Sequence, residues 1–113
     1  MTRPAFPSEA NWETLLANGC APDLRSLPVV KLFLADANAT WLLSEVDPED
    51  QDRAFGLCDL GFGSPELGYV SLAELTAVRG GLGLPIERDI HFRADKPMSV
   101  YAAEARRMGF IAA

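Results

Sequence analysis

Apolar positions change their spacing several times along the chain, and each change marks a new element. Ser8-Glu9 opens a helical register in which Trp12, Leu15 and Leu16 fall on one face, and Asn18-Gly19 supplies a stop. A short linker from Ala21 runs to Pro28. The period then shortens toward two. "VVKLFLADANATWLLSEVD" reads as two strands, Val29–Leu34 and Thr40–Val46, joined by a turn at Asp36-Ala37-Asn38. β-Branched and aromatic residues favour strands here, although "ATWLLSEV" also has the makings of a helix start.

Asp47–Asp52 predicts an exposed acidic loop, and residues 53–60 a third strand. Gly61-Phe62-Gly63-Ser64-Pro65 is a turn cluster, because glycine permits positive φ and proline presets its own. Leu67–Val70 makes a fourth strand. Ser71-Leu72-Ala73-Glu74 matches a capping box, followed by a helix that buries Leu72, Leu75 and Val78 and ends at Gly80-Gly81. After Pro85, "IERDIHF" alternates as a fifth strand. Ile86, Arg88, Ile90 and Phe92 share one face; Glu87, Asp89, His91 and Arg93 share the other. Asp95-Lys96-Pro97 turns the chain. Ser99 caps a last helix through Met108, with Tyr101, Ala102, Ala105 and Met108 inward and Gly109 at its end. The order α-β-β-β-β-α-β-α, with short links between strands, predicts an α+β fold: a mainly antiparallel sheet of about five strands with helices packed on one face.

Length sets the scale of this fold: 113 residues suit one α+β domain, with residues 1–28 as N-terminal helix and linker and 29–113 as core. Hydrophobic residues at 49% and charged residues at 23% place the chain among globular, not disordered, sequences. No apolar run approaches the roughly 20 residues of a membrane span. The first residues hold no apolar stretch of signal-peptide length, so the expected location is cytoplasmic. Cys20 and Cys58 are expected as reduced thiols, and with one histidine they leave no Cys/His zinc site.

Charge adds direction. Residues 1–78 carry four bases and twelve acids, and residues 79–113 six bases and four acids, for a net charge of −6. This balance argues against direct nucleic-acid binding, which depends on neutralising phosphates, although the last third could show a modest basic face. Gly61-x-Gly63 and Gly80-Gly81-x-Gly83 lack both dinucleotide and Walker spacing, so no nucleotide cofactor is expected.

Four groups of residues remain as candidate chemistry. Glu45, Asp47, Glu49, Asp50 and Asp52 crowd into eight residues. They miss the EF-hand pattern, with Asp52 where glycine belongs and Cys58 where glutamate belongs, and read as a solvated surface available to a partner. Asp59 and Glu66 bracket the glycine turn. Asp59 either faces inward toward a partner such as Arg53 or Arg88, or caps the turn through backbone hydrogen bonds. Glu87, Asp89 and His91 share a strand face and could bind a metal, with Asp59 or Glu66 from a second strand. Their spacing of ~6.5–7 Å along one strand is too wide for adjacent pairs to chelate alone, and a solvated sheet face is the simpler reading. Cys58 with His91 is the one conceivable thiol–imidazole pair, but the flanking Asp59 works against thiolate formation.

The pieces "AFGLCDLG" (54–61), "PELGYVSL" (65–72) and "ERD" (87–89) are similar to the bacterial domain of unknown function 2958 family, over about residues 29–102. That resemblance implies small stand-alone or fused domains often encoded on plasmids, phages and integrative elements, and it carries no catalytic residue across. Composition and resemblance together lead to a non-enzymatic, protein-binding module of mobile-element machinery, without cofactor. A metal-dependent nuclease-like or hydrolytic enzyme using Glu87, Asp89 and His91 is the alternative. An oligomeric structural module with exposed Trp or Phe at its self-contact is a third reading.

Overall fold

The computed structural model describes residues 7–113. Helix α1 spans Glu9–Cys20. Ser8 Oγ accepts the Asn11 N–H at 3.2 Å, and the Asn11 side chain accepts the Ser8 N–H, so an amide completes the cap. The helix runs through the expected stop at Gly19. A Cβ there would stand 1.9 Å from the Val46 carbonyl oxygen, so this glycine serves a close approach to the sheet instead of ending the helix.

The sheet comprises β1 (Val30–Leu34), β2 (Ala39–Asp47), β3 (Asp50–Asp59), β4 (Glu66–Ser71) and β5 (Glu87–Arg88), in the order β4-β3-β2-β1-β5. Every neighbouring pair is antiparallel. Residues 39–46 are therefore strand, paired on both sides, and the fold is α+β. The fifth strand is far shorter than its alternation suggests. Asp89 Oδ1 accepts the His91 N–H at 2.9 Å, and this local turn takes the backbone away from the ladder. Ile90, expected inward, is 62% exposed as a result.

Helices cover both faces of the sheet, a correction to the expected single layer. Val30, Leu32, Trp41, Leu43 and Val46 pack with Trp12 and Leu15 of α1 and with Leu72 and Leu75 of α2 (Leu72–Ala77). Leu42 and Leu57 pack on the opposite face with Met98, Tyr101, Ala102 and Ala105 of α3 (Met98–Met108). Leu42 and Leu43 are adjacent and both fully buried; on a pleated strand that requires cover on both sides.

Both later helices depart from expectation, α3 at its start and α2 at its end. Ser99 does not cap α3. Pro97 holds the cap position, and the N–H groups of Met98 and Ser99 donate to the Ser26 and Leu24 carbonyls of the linker, each at 2.9 Å. Met108 is 44% exposed, because it lies at the edge of the stripe that begins at Met98. Helix α2 ends at Ala77, ahead of its glycines, with Val78 as its cap.

Candidate functional site

Strand β2 contains an irregularity that shapes one end of the molecule. Leu43 pairs with Gly56 and Glu45 with Phe55, so Ser44 has no partner across the ladder. One extra residue reverses the alternation. Val46 thereby stays in the α1-side core, and Glu45 turns to the face that carries α3. Asn18 of α1 secures the bulge by donating its side-chain N–H to the Ser44 carbonyl at 2.9 Å.

Register then aligns Glu45, Phe55 and Tyr69 across β2, β3 and β4. The two rings lie 5.1 Å apart with a 59° tilt, and the Arg53 guanidinium carbon sits 3.8 Å over the Tyr69 ring. From the linker, the Asp23 N–H donates to Glu45 Oε2 at 3.1 Å. Pro22, Asp23 and Leu24 face Glu45, Phe55 and Tyr69 across a cleft of about 200 Å³. A smaller adjoining hollow reaches Gly19 and Asp47.

Glu45 is only 5% exposed. Burial raises its carboxyl pKa above the ordinary value; the Asp23 N–H opposes that rise and the Asp23 charge adds to it. Asp23 itself is held below the usual carboxylate range by its bonds to Arg25, 2.8 Å away. Among the described residues, no cation forms an ion pair with Glu45.

The other acids of the expected loop separate into two roles. Asp47 and Asp50 pair across a tight hairpin whose tip is Pro48-Glu49, so the loop is shorter than its composition suggests. Asp47 Oδ1 accepts the Glu49 N–H at 2.9 Å, and Asp50 Oδ1 accepts the Asp52 N–H at 3.2 Å. Asp47, Glu49 and Asp50 make no ion pair among the described residues. Asp52 belongs to β3 and is occupied internally, accepting from Ser71 Oγ–H and from the Ala73 N–H.

Asp59 is 3% exposed and does cap the glycine turn, accepting the Gly61 N–H at 2.9 Å. Its second oxygen takes the Ile111 N–H at 3.0 Å, a contact with the C-terminal segment that local sequence did not suggest. The two cations considered for it are placed elsewhere: Arg53 lies on Tyr69, and Arg88 donates to the Asn11 side chain. Glu66 stands exposed on the edge strand β4, opposite Cys58.

Glu87, Asp89 and His91 do not share a strand face. Glu87 lies in β5 opposite Phe33, and Asp89 turns back on the His91 N–H with Lys31 Nζ 3.6 Å from its other oxygen. Among the described residues, no three His, Cys, Asp or Glu side chains gather closely enough to hold a metal ion. Burial pushes the Cys58 thiol up to about 11, and β2 and β1 separate it from the segment that carries His91. Both tryptophans are buried in the core, which leaves Phe62, at 86% exposure on the glycine turn, as the aromatic most open to solvent among the described residues.

Sequence reasoning found the acids and missed the aromatic wall. Phe55 and Tyr69 fall in the expected third and fourth strands, and nothing in their local sequence sets them apart. The available signal was Ser44-Glu45, a polar pair interrupting the apolar run of β2.

A family model described as "Protein of unknown function (DUF2958)" matches residues 8–112. No curated protein matches the chain, and no solved structure does.

Proposed function

Starting from a chain that belongs to the DUF2958 family of proteins of unknown function, we propose that it is a non-enzymatic protein-binding module. Its acidic sheet end docks a basic surface of a partner protein. The observation that carries this reading is the state of the acids there. Among the described residues Glu45 is buried without a cation, and Asp47, Glu49 and Asp50 lie around a two-residue hairpin without an ion pair. Carboxylates that only cap one another's backbone keep free oxygens for an incoming cation. A hairpin formed by the paired strands β2 and β3 also presents them without the ordering cost of a long loop.

Net charge of −6 favours a basic partner and supports steering it toward this end. No helix among the described residues is long and apolar enough to cross a membrane. The genetic setting implied by the family resemblance supports a partner drawn from mobile-element machinery, met in the cytoplasm.

Tagged protein is used to capture partners from host extract, with and without nuclease, beside the triple variant Asp47→Asn, Glu49→Gln, Asp50→Asn. A protein retained by the unmodified chain after nuclease, released by salt and lost by the triple variant is the expected result. Recovery of nucleic acid, or equal capture by both forms, overturns the proposal.

A further inference from the structure

We infer that the cleft between the Pro22–Leu24 segment and the Glu45–Phe55–Tyr69 row is a socket for one guanidinium group, an arginine side chain presented by the partner. The inference rests on the protein-binding reading and names the chemistry that would recognise the partner.

Four observations converge on it. Glu45 is more than nine-tenths buried, and its Oε2 takes the Asp23 N–H while Oε1 has no hydrogen-bond partner among the described residues. Oε1 is not a sealed atom but keeps an edge open to solvent, and a largely buried carboxylate with no cation among the described residues carries a desolvation cost that an entering cation offsets. Phe55 and Tyr69 stand beside Glu45 in the same row, so a planar cation resting on a ring has the carboxylate next to its edge. The chain already makes half of this contact itself: Arg53 lies 3.8 Å over Tyr69 but forms no ion pair with Glu45. Finally, the cleft of about 200 Å³ lies below the roughly 300–1,000 Å³ of small-molecule pockets and suits a single side chain. Guanidinium is favoured over ammonium because it stacks through its face and donates through its edge, and Glu45 stands directly beside Phe55 across the ladder.

The test titrates isotope-labelled full chain with N-acetyl-arginine N-methylamide, following backbone amides by NMR. The citrulline counterpart (same shape, no charge) and the lysine counterpart serve as comparisons. Saturable shifts at Glu45, Phe55 and Tyr69, with affinity on the order of millimolar, are expected for arginine. Citrulline and the Glu45→Gln variant should each weaken binding by roughly tenfold. Tyr69→Leu, which removes an exposed ring, should also weaken it and stands in if Glu45→Gln does not fold. Absence of saturation, an equal response to citrulline, or unchanged binding in a folded Glu45→Gln variant overturns the socket. A stronger response to lysine overturns the guanidinium assignment. Partner capture that succeeds without any probe response sinks the socket alone. Capture that fails while the probe titrates sinks the protein-binding reading and, with it, the protein origin of the arginine.

Discussion

Asp52 and Ser71, 19 residues apart, share a hydrogen bond of 2.5 Å at the start of α2. The other Asp52 oxygen accepts the Ala73 N–H at 2.7 Å, and Ser71 Oγ accepts the Glu74 N–H at 3.2 Å. The carboxylate that completes this helix start thus comes from β3, where a local capping box would have used Glu74. Asp52→Ala is expected to lower stability by about 1–2 kcal/mol in urea denaturation. Glu74→Gln should change it by less than about 0.5 kcal/mol. Equal effects would show that the cap is local after all.

The hairpin acids next to Asp52 should behave in the opposite way. Asn at 47 and 50 preserves the oxygen that each uses for the Glu49 and Asp52 N–H groups. The triple neutral variant should keep its folding midpoint, each change contributing within about 0.5 kcal/mol. It should lose salt-sensitive partner capture. A large loss of stability would mark these acids as structural.

Glu45 gives a pH prediction with a definite sign. Its folded-state pKa lies above the ordinary 4.5, chiefly through burial. Its contribution to stability is therefore fully present below 4.5 and is lost as pH rises through the raised value. Glu45→Gln keeps an oxygen for the Asp23 N–H and removes the buried charge. Paired urea titrations should show the variant gaining on the unmodified protein between pH 4 and pH 7. A gap that stays constant would place the Glu45 carboxylate in water.

The two thiols should differ sharply in reactivity. Cys20 is exposed, whereas Cys58 is half-buried with a pKa of about 11. At pH 8 only about 0.1% of Cys58 would be thiolate, the reactive form. A chromogenic disulfide reagent should register one fast thiol in the native protein and the second only on unfolding. Substituting Cys20 should abolish the fast phase.

Asp59 joins the end of β3 to the C-terminal segment through the Gly61 and Ile111 N–H groups. Asp59→Ala leaves both donors without an acceptor and should cost about 2 kcal/mol. Asp59→Asn keeps one acceptor and should cost about half as much. Hydrogen exchange at the Ile111 amide should rise in both variants; unchanged exchange would mean that the segment is held by packing alone.

Local chemistry made much of this fold legible. Ser8 and the Trp12–Leu15 spacing specify α1; alternation and the Asp36–Asn38 turn specify β1 and β2; Asp59 and Gly61 specify the turn after β3. Each depends on residues within a few positions of one another, so each can be read in chain order.

Only tertiary structure decided the rest. A single unpaired residue, Ser44, determines whether Glu45 points into the α1-side core or out into the cleft, and alternation read along β2 cannot reveal a bulge that exists through pairing with β3. Helix α3 was free to pack on either face until Leu42 and Leu57 needed cover of their own. Asp52 looked like a loop acid until Ser71 came alongside, and Glu87, Asp89 and His91 looked aligned until a local turn stopped β5. Residue types announced an acidic protein with a defined set of strands. Which acids are structural, and which one lies buried beside two rings, was settled by pairing register, because register decides the neighbours of every side chain.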